Sequence, residues 1–209
     1  SSDFISRNGR QYSKQLIGTA DRNSRIYPLF APTEHEIRQR IADVLMKIPN
    51  GKEILFLGRY NHDVRILSED GFGWKPGISD NSSEICFSER PDLNMRFMTI
   101  HSSKGLQADV VISLNNRTGK YGFPSRMDEP VLIPLLLGGE NDRYDEERRL
   151  FYVAMTRARD AAYIVSVTGH QSDFFKEIFP YYGRDSGTSP MICPLCGGML
   201  ILKEGRYGR

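Results

Sequence analysis

The residues best suited to chemistry lie in two stretches, and the more demanding one is EERRLFYVAMTRAR, residues 146–159. If this stretch is one helix, Leu150, Val153 and Arg157 fall on one face, so an apolar stripe ends in a guanidinium. A guanidinium carried toward a core is costly unless it meets an anion, and its planar fork suits carboxylate or phosphate oxygens. The pattern therefore predicts either a structural ion pair with a buried carboxylate or a phosphate site at Arg157.

The second stretch is TIHSSKGLQ, residues 99–107, which is rich in groups that hydrogen-bond an anion. Its hydroxyls and imidazole are followed by the ammonium of Lys104, and Gly105 permits close approach of the backbone to a ligand. A polar turn that only joins two strands could have the same composition. Taken alone, the stretch leaves an anion site and a plain connection both open.

Length and composition limit the class of protein that can carry these stretches. The chain has 209 residues, of which 39% are hydrophobic and 11% aromatic, enough for one domain with a real core and a small appendage. The net charge is only +2, so any contact with nucleic acid must depend on local clusters of Arg and Lys. Three cysteines and no membrane-length apolar run or signal-like start favour a reducing, soluble compartment. We therefore expect a cytoplasmic protein with no membrane partner.

The elements that must position the two stretches alternate between strands and helices. Thr33 and Glu36 form a capping box, which predicts a helix that continues to about Ile48. Apolar runs predict strands at 53–57, 84–87, 96–100, 109–114 and 161–167, and the alternation favours parallel pairing. Ligands bind outside the carboxyl ends of such strands, where the loops 58–61 and 99–107 are both expected to lie.

Three further segments and one cysteine complete this organisation. Residues 71–80 carry Gly, Pro and the single tryptophan and are predicted to form a loop, and Cys86 is expected to pack in the core. Residues 115–142 are long and irregular, with no role that the pattern reveals. A helix at 172–179, ended by a proline, closes the main domain.

Spaced in this order, TIHSSKGLQADVV and EERRLFYVAMTRAR resemble the two C-terminal signature motifs of superfamily 1 DNA helicases of the UvrD/Rep type. GRYN, residues 58–61, resembles an upstream element of the same family, and the resemblance covers roughly residues 1–167. It implies an α/β, RecA-like domain of the P-loop NTPase type, with a mostly parallel sheet flanked by helices. No stretch reads G-x-x-x-x-G-K-[ST], so the resemblance also implies a missing first RecA-like domain that holds most of the Mg²⁺-ATP site. We expect the chain alone to be inactive.

The resemblance assigns nucleotide-contacting roles to three positions. Arg157 corresponds to the arginine that reaches across the domain cleft to the γ-phosphate of ATP. Gly105 lies in the loop that couples nucleotide to DNA. Gln107 stands where family members often have a glutamate that contacts the nucleotide sugar, and an amide can still hydrogen-bond a hydroxyl.

Five other positions are candidates for contact with DNA. Thr99, His101 and Asn61 match family positions that face single-stranded DNA, although His101 could instead be a buried core histidine. Arg59 and Lys104 are nearby candidates.

Spacing and the C-terminal tail favour one branch of the family. Only residues 60–95 separate the GRYN-like and TIH-like elements. This is too short for the large domain that UvrD and Rep insert there, so the chain resembles the helicase IV branch, whose members lack the full insertion. Cys193 and Cys196 resemble the first half of a topoisomerase-type zinc ribbon, and Zn²⁺ would need two further ligands that we expect beyond Arg209. Two free thiols in a tail are the alternative.

These observations predict three segments: a second RecA-like domain at 1–180, a linker at 181–190 and a partial zinc ribbon at 191–209. The predicted function is the C-terminal motor domain of an ATP-dependent DNA helicase that acts on single-stranded or partly duplex DNA. A non-catalytic nucleic-acid-binding module with a degenerate RecA-like fold, or a subunit of a RecB/AddA-type helicase-nuclease, are the alternatives. Walker motifs upstream of Ser1 would distinguish a motor from a binding module.

Overall fold

The computed structural model describes residues 2–8, 25–77, 82–126 and 140–180. The strands of these ranges are β1 (Arg25–Ala31), β2 (Glu53–Gly58), β3 (Phe72–Pro76), β4 (Ser83–Phe87), β5 (Asn94–Thr99), β6 (Ala108–Ser113) and β7 (Ala158–Val167). The helices are α1 (Ser2–Ile5), α2 (Glu34–Leu45), a 3₁₀ helix (Asn61–Leu67), α3 (Glu140–Thr156) and α4 (Asp173–Ile178). Each strand and helix predicted above has a counterpart among them.

The described strands form one sheet in the order β1-β7-β6-β2-β5-β4-β3. The four pairings among the first five strands of this order, β1, β7, β6, β2 and β5, are parallel. The pairings of β5 with β4 and of β4 with β3 are antiparallel. The prediction of a mostly parallel α/β sheet is confirmed. The expectation of parallel pairing is wrong at one end, where β3 and β4 form a hairpin.

The hairpin corrects two predictions. Phe72–Pro76, predicted to be part of a loop, is the strand β3, because its Phe72 ring stacks on Phe87 at 4.4 Å and Pro76 is tolerated at the end of a strand on the sheet edge. Cys86, predicted to be in the core, is exposed. Along β4 the buried side chains are Ile85 and Phe87, so the residue between them points to the opposite, open face.

Helices cover both faces of the parallel part of the sheet. On one face α2 and the 3₁₀ helix bury a cluster that includes Ile37, Ile41 and Phe56. On the other face α3 and α4 pack against the neighbouring residues of β2. Thr33 caps α2 as predicted, since the Glu36 amide donates to Thr33 Oγ1 at 3.2 Å. The Glu36 carboxylate accepts from the Thr33 hydroxyl at 3.1 Å, whereas a full capping box would use the Thr33 amide as the donor. No helix in the described ranges is long and apolar enough to cross a membrane.

The end of α3 differs from the prediction. The helix stops at Thr156, and Arg157 occupies the turn into β7 rather than a last helical position. The Thr156 hydroxyl donates back to the carbonyls of Tyr152 and Val153, while the Arg157 carbonyl accepts from the Ala108 amide at 3.0 Å. The backbone at Arg157 is thus already bonded to the start of β6, which ends the helix three residues early.

Candidate functional site

The carboxyl edge of the sheet brings two of the predicted loops together. Gly58 at the end of β2 pairs in register with Thr99 at the end of β5, and the Ile100 amide donates to the Gly58 carbonyl at 2.9 Å. His101 and Arg59 therefore leave neighbouring strands at the same edge. The expectation that the GRYN and TIHSSKG loops share an edge holds for these residues.

The loop 99–107 does not stay at that edge. It connects β5 to β6, which run in the same direction, so it must return along about one strand length, roughly 17 Å, to reach Ala108. Ser103 is fully buried along this path, and its hydroxyl donates to the Ile100 carbonyl at 2.7 Å. Gly105 and Gln107 consequently lie toward the amino edge. The expectation that the whole loop 99–107 lies at the carboxyl edge is therefore wrong for these two residues.

Arg157 lies at this amino edge, beside the end of the loop. Its Nη1 donates to the Leu106 carbonyl at 3.2 Å, and its Nε is buried with no hydrogen-bond partner in the described part of the chain. Within the same ranges no carboxylate forms an ion pair with the Arg157 guanidinium, so the structural ion pair considered from sequence is not found there. A partly buried guanidinium with an unpaired N–H fits an anionic oxygen supplied by a ligand.

The other two nucleotide candidates are close to Arg157 along the chain. Gly105 is exposed with φ of 87°, a left-handed conformation that favours glycine, and no atom would meet an added Cβ within 4 Å. Gln107 is exposed next to Leu106, whose carbonyl holds Arg157. The amino edge thus combines one poorly satisfied cation with open backbone and an amide.

Arg59 has a partner that the sequence analysis missed. Its Nη2 donates to Glu147 Oε1 at 2.6 Å, and its Nε donates to the same carboxylate at 3.0 and 3.2 Å. Glu147 is buried on α3, and its Oε2 also accepts from the Ser125 amide at 3.0 Å. The signal was present in the sequence, because Glu147, Leu150 and Ala154 follow one another at helical spacing and place a carboxylate on the buried stripe.

The remaining DNA candidates are accessible to different degrees. Asn61 is exposed at the first position of the 3₁₀ helix, and Lys104 is exposed in the loop. Thr99 is half-buried, with its hydroxyl 3.0 Å from that of Ser102. His101 is exposed, so the alternative of a core histidine is wrong. Partial burial of its ring, together with the positive charge of Arg59, lowers its pKa, which keeps the imidazole neutral at neutral pH.

A buried carboxylate holds the GRYN loop in place. Asp63 Oδ2 accepts from the Tyr60 amide at 2.9 Å, and Oδ1 accepts from Asn115 Nδ2 at 2.6 Å. Burial raises the pKa of Asp63, and these hydrogen bonds lower it in part. Gly58 is needed here, because an added Cβ would lie 2.8 Å from the Cβ of Asp63 and 2.9 Å from the Phe97 ring.

The predicted metal ligands, Cys193 and Cys196, lie outside the described residues, as do the linker and the ribbon at 181–209. In the ranges that are described, no group of three or more His, Cys, Asp or Glu side chains could hold a metal ion. The zinc site therefore stays a prediction.

Comparison with known proteins matches residues 80–169 to the family model of the UvrD-like helicase C-terminal domain. DNA helicase IV of Escherichia coli K12 is 34% identical over 158 residues, which are 75% of this chain and 20% of that protein. The ATP-dependent DNA helicase Rep of Buchnera aphidicola is 37% identical over 76 residues, 36% of this chain and 10% of that protein. The chain thus spans about a fifth or less of the length of these relatives.

A solved structure described as the C-terminal domain of a possible DNA helicase, from Lactobacillus strain WCFS1, has a TM-score of 0.41 and 15% identity. The alignment covers 83% of this chain and 87% of the solved chain, and the TM-score is too low to show a common fold. The family match is more specific, because it includes both the 99–107 loop and Arg157. Residues 80–169 of this chain are thus similar to the UvrD-like helicase C-terminal domain, and the relatives that the chain matches are DNA helicases of the UvrD/Rep type.

Proposed function

We propose that the chain is the C-terminal motor domain of an ATP-dependent DNA helicase that moves along single-stranded DNA and unwinds duplex. In this proposal residues 1–180 form a RecA-like domain, 181–190 a linker and 191–209 part of a zinc ribbon. The observation that carries the proposal is the course of the 99–107 loop. It begins beside the DNA candidates at the carboxyl edge and ends beside Arg157 at the amino edge.

At the amino edge, Arg157 is the group proposed to meet the phosphates of ATP. Its unpaired Nε and its long contact with the Leu106 carbonyl leave donors available for an anionic oxygen. ATP, held with Mg²⁺ mainly by an N-terminal RecA-like domain, would supply the free energy of hydrolysis. Arg157 would stabilise negative charge at the phosphate, Gly105 would allow close backbone approach, and Gln107 would hydrogen-bond the sugar.

Single-stranded or partly duplex DNA is proposed to contact Asn61, Thr99 and His101 at the carboxyl edge, and Lys104 in the loop that leaves this edge. Lys104 supplies the positive charge, while His101, neutral at pH 7, acts as a hydrogen-bonding group. Arg59 has a smaller direct role than expected from sequence, since the Glu147 carboxylate neutralises its charge.

Helix α3 links the two sites. Glu147, near its middle, binds Arg59 at the carboxyl edge, and Arg157 follows its last residue at the amino edge. Ten residues of helix and turn cover about 15 Å, close to the length of a strand. A shift of α3 that follows contact of Arg157 with nucleotide would therefore move Glu147 and Arg59 beside the DNA candidates, which couples the two sites mechanically.

Binding of an oligo-dT strand to the 209-residue chain at increasing salt tests the DNA part of the proposal. We expect weak, strongly salt-dependent binding that falls further in His101→Ala and Lys104→Ala. Lys75→Ala is the matched control, because Lys75 is an exposed lysine on β3 at the far end of the sheet. Equal losses in Lys75→Ala and Lys104→Ala would contradict a localised site.

For the tail, we infer that Cys193 and Cys196 are half of a zinc site. Two thiolates supply two of the four ligands that structural zinc requires. Metal analysis should find one tightly bound Zn²⁺ per molecule only when a second cysteine pair is present in the polypeptide. Stoichiometric zinc in the monomeric 209-residue chain would contradict this assignment.

A further inference from the structure

Three aromatic side chains form a cluster at the carboxyl edge, and two of them lie outside the sequence motifs. The rings of Tyr60 and His62 are stacked, with centroids 5.2 Å apart and an interplanar angle of 8°. Tyr121, from the segment that follows β6, lies edge-on to both rings, at 6.0 Å from Tyr60 and 5.6 Å from His62. This group of Tyr60, His62 and Tyr121 is called the aromatic cluster below.

The cluster is held in place by hydrogen bonds beneath it. Asn115 joins the two segments, because its Nδ2 donates both to Asp63 Oδ1 at 2.6 Å and to the Tyr121 carbonyl at 3.2 Å. The Tyr60 hydroxyl bonds to Ser125 Oγ, and the guanidinium of Arg59 lies 5.0 Å over the Tyr60 ring. The rings are thus fixed before any ligand arrives, which reduces the entropy lost on binding.

Two members of the cluster keep much of their surface in water. Tyr121 is 47% exposed, and the His62 side chain is 43% exposed. Large aromatic rings are normally covered, so such a group marks a surface for a ligand with a flat apolar face. Its position supports one such ligand, because His62 follows the DNA candidate Asn61 directly in the chain.

Charge around the cluster favours a nucleic acid over an apolar protein surface. The segment that carries Tyr121 also carries Arg117, Lys120 and Arg126, all of which are exposed. Arg126 Nη2 pairs with Asp173 Oδ2 at 3.3 Å, and Arg117 Nη1 lies 3.9 Å from Glu34 Oε1. Aromatic rings set among cations are the combination with which proteins grip single strands, since bases stack on the rings while cations follow the phosphates.

We propose that the aromatic cluster is a stacking site for a nucleobase of single-stranded DNA, with Tyr121 and His62 as the contacting rings. The proposal rests on the proposed function, because it places the base next to the backbone contacts of Asn61 and His101. Stacking on a ring tolerates any base, so this site would hold the strand without selecting its sequence. Tyr121 is then a residue for DNA grip that lies outside the GRYN-like, TIH-like and TRAR motifs.

The test compares an oligo-dT strand with a strand of equal length and charge in which abasic sites replace the bases. In the 209-residue chain, Tyr121→Leu and His62→Ala are each expected to weaken binding of oligo-dT about tenfold and to leave binding of the abasic strand unchanged. Tyr121→Phe keeps the ring, so its affinity for oligo-dT should stay within about twofold of the wild-type affinity. Equal losses on the two strands, or no loss on oligo-dT, would overturn the proposal.

A fluorescence measurement reports on stacking itself. Trp74 is the chain's only tryptophan and lies on β3, so Trp74→Phe combined with Tyr121→Trp leaves one tryptophan, in the cluster. The fluorescence of this introduced indole should be quenched by oligo-dT and not by the abasic strand, whereas Trp74 in the wild-type chain should respond to neither. Unquenched fluorescence of the double variant under conditions of full binding would refute stacking.

These outcomes separate this inference from the broader proposal. The proposed function is judged by salt-dependent binding of the abasic strand and by its loss in Lys104→Ala, neither of which involves a base. If that behaviour is present while Tyr121→Leu binds oligo-dT normally, the stacking site is wrong and the DNA site at the carboxyl edge stands.

Discussion

The two edges of the parallel sheet differ in how completely their polar groups are satisfied. At the carboxyl edge, Arg59 forms three hydrogen bonds to Glu147, and Asp63 accepts from Tyr60 and Asn115. At the amino edge, Arg157 makes one long bond to a backbone carbonyl, and its Nε has no partner in the described part of the chain. Arg59 is therefore neutralised within the fold, whereas Arg157 keeps a hydrogen-bond donor available for a ligand.

This contrast separates structural arginines from those available to a ligand. A buried arginine that the chain itself neutralises holds elements together, and its removal or that of its partner costs stability. A partly buried arginine with unfilled donors gains most of its interactions only when an anion arrives. The sequence analysis made both arginines candidates for ligand contact, Arg59 for DNA and Arg157 for ATP. Their surroundings differ, because Arg59 is paired with Glu147 whereas Arg157 keeps an unpaired Nε.

The largest expected effect on stability is at the carboxyl edge. Glu147→Ala should lower the free energy of unfolding by about 3 kcal/mol, because it leaves the Arg59 guanidinium half-buried without its anion and removes the acceptor for the Ser125 amide. Urea denaturation followed by circular dichroism measures the change. If Glu147→Ala lost no more stability than a surface variant, Arg59 would not differ from Arg157 in the way described.

Glu146→Ala provides that surface variant. Glu146 is the adjacent glutamate on α3, is 57% exposed and pairs only with Arg149 at 3.1 Å among the contacts described. Exposed pairs of this kind contribute little, so its removal should change stability by less than about 0.5 kcal/mol. Both variants remove one carboxylate from the same helix, and only their surroundings differ.

A smaller effect is expected on DNA binding at Lys104. Loss of one phosphate contact in Lys104→Ala should reduce the slope of log affinity against log salt by about 1 and weaken binding by severalfold. Oligo-dT titrations at several salt concentrations measure the slope. An unchanged slope would remove Lys104 from the site and leave the carboxyl edge with less charge than the account requires.

The smallest expected effect is a pH dependence at His101. Its pKa is lowered by burial and then by Arg59, so wild type and His101→Gln should bind DNA with similar affinity near pH 7.5, where both side chains are neutral. As the pH falls through this lowered pKa, which lies below the ordinary value of about 6.5, the wild-type imidazole gains a proton and the wild type should bind severalfold tighter than the variant. A wild-type advantage that is greatest at alkaline pH would contradict this sign.

Much of the architecture was predictable, because it depends on local patterns. The N-cap of α2 needs only Thr33 and the amide of Glu36, and the buried strand β2 is a continuous apolar run too short for a typical helix. The hairpin of β3 and β4 was not predictable in this way. Gly73 and Pro76 are typical of loops, and β3 forms because the Phe72 ring packs on Phe87, a contact across the chain.

The site was predictable where motifs place residues in sequence and not where partners come from distant segments. The spacing of 99–107 and Arg157 identified the two stretches, yet the end of α3 at Thr156 is set by the bond between the Ala108 amide and the Arg157 carbonyl. The pair of Arg59 with Glu147 joins residues 88 apart in the chain. Without a fold, no local pattern says which of several arginines each glutamate meets.

We propose that the fold leaves Arg157 unsatisfied because its partner is the phosphate of ATP. DNA-stimulated ATP hydrolysis by Arg157→Ala, in a polypeptide that includes the N-terminal RecA-like domain, tests it most directly. The rate should fall roughly 10³-fold, and Arg157→Lys should recover little of it, whereas Arg159→Ala, which removes an exposed arginine two residues away, should remain near wild type. The free energy of unfolding of Arg157→Ala should change by less than about 1 kcal/mol. A variant that is clearly destabilised and still hydrolyses ATP at the normal rate would contradict the account.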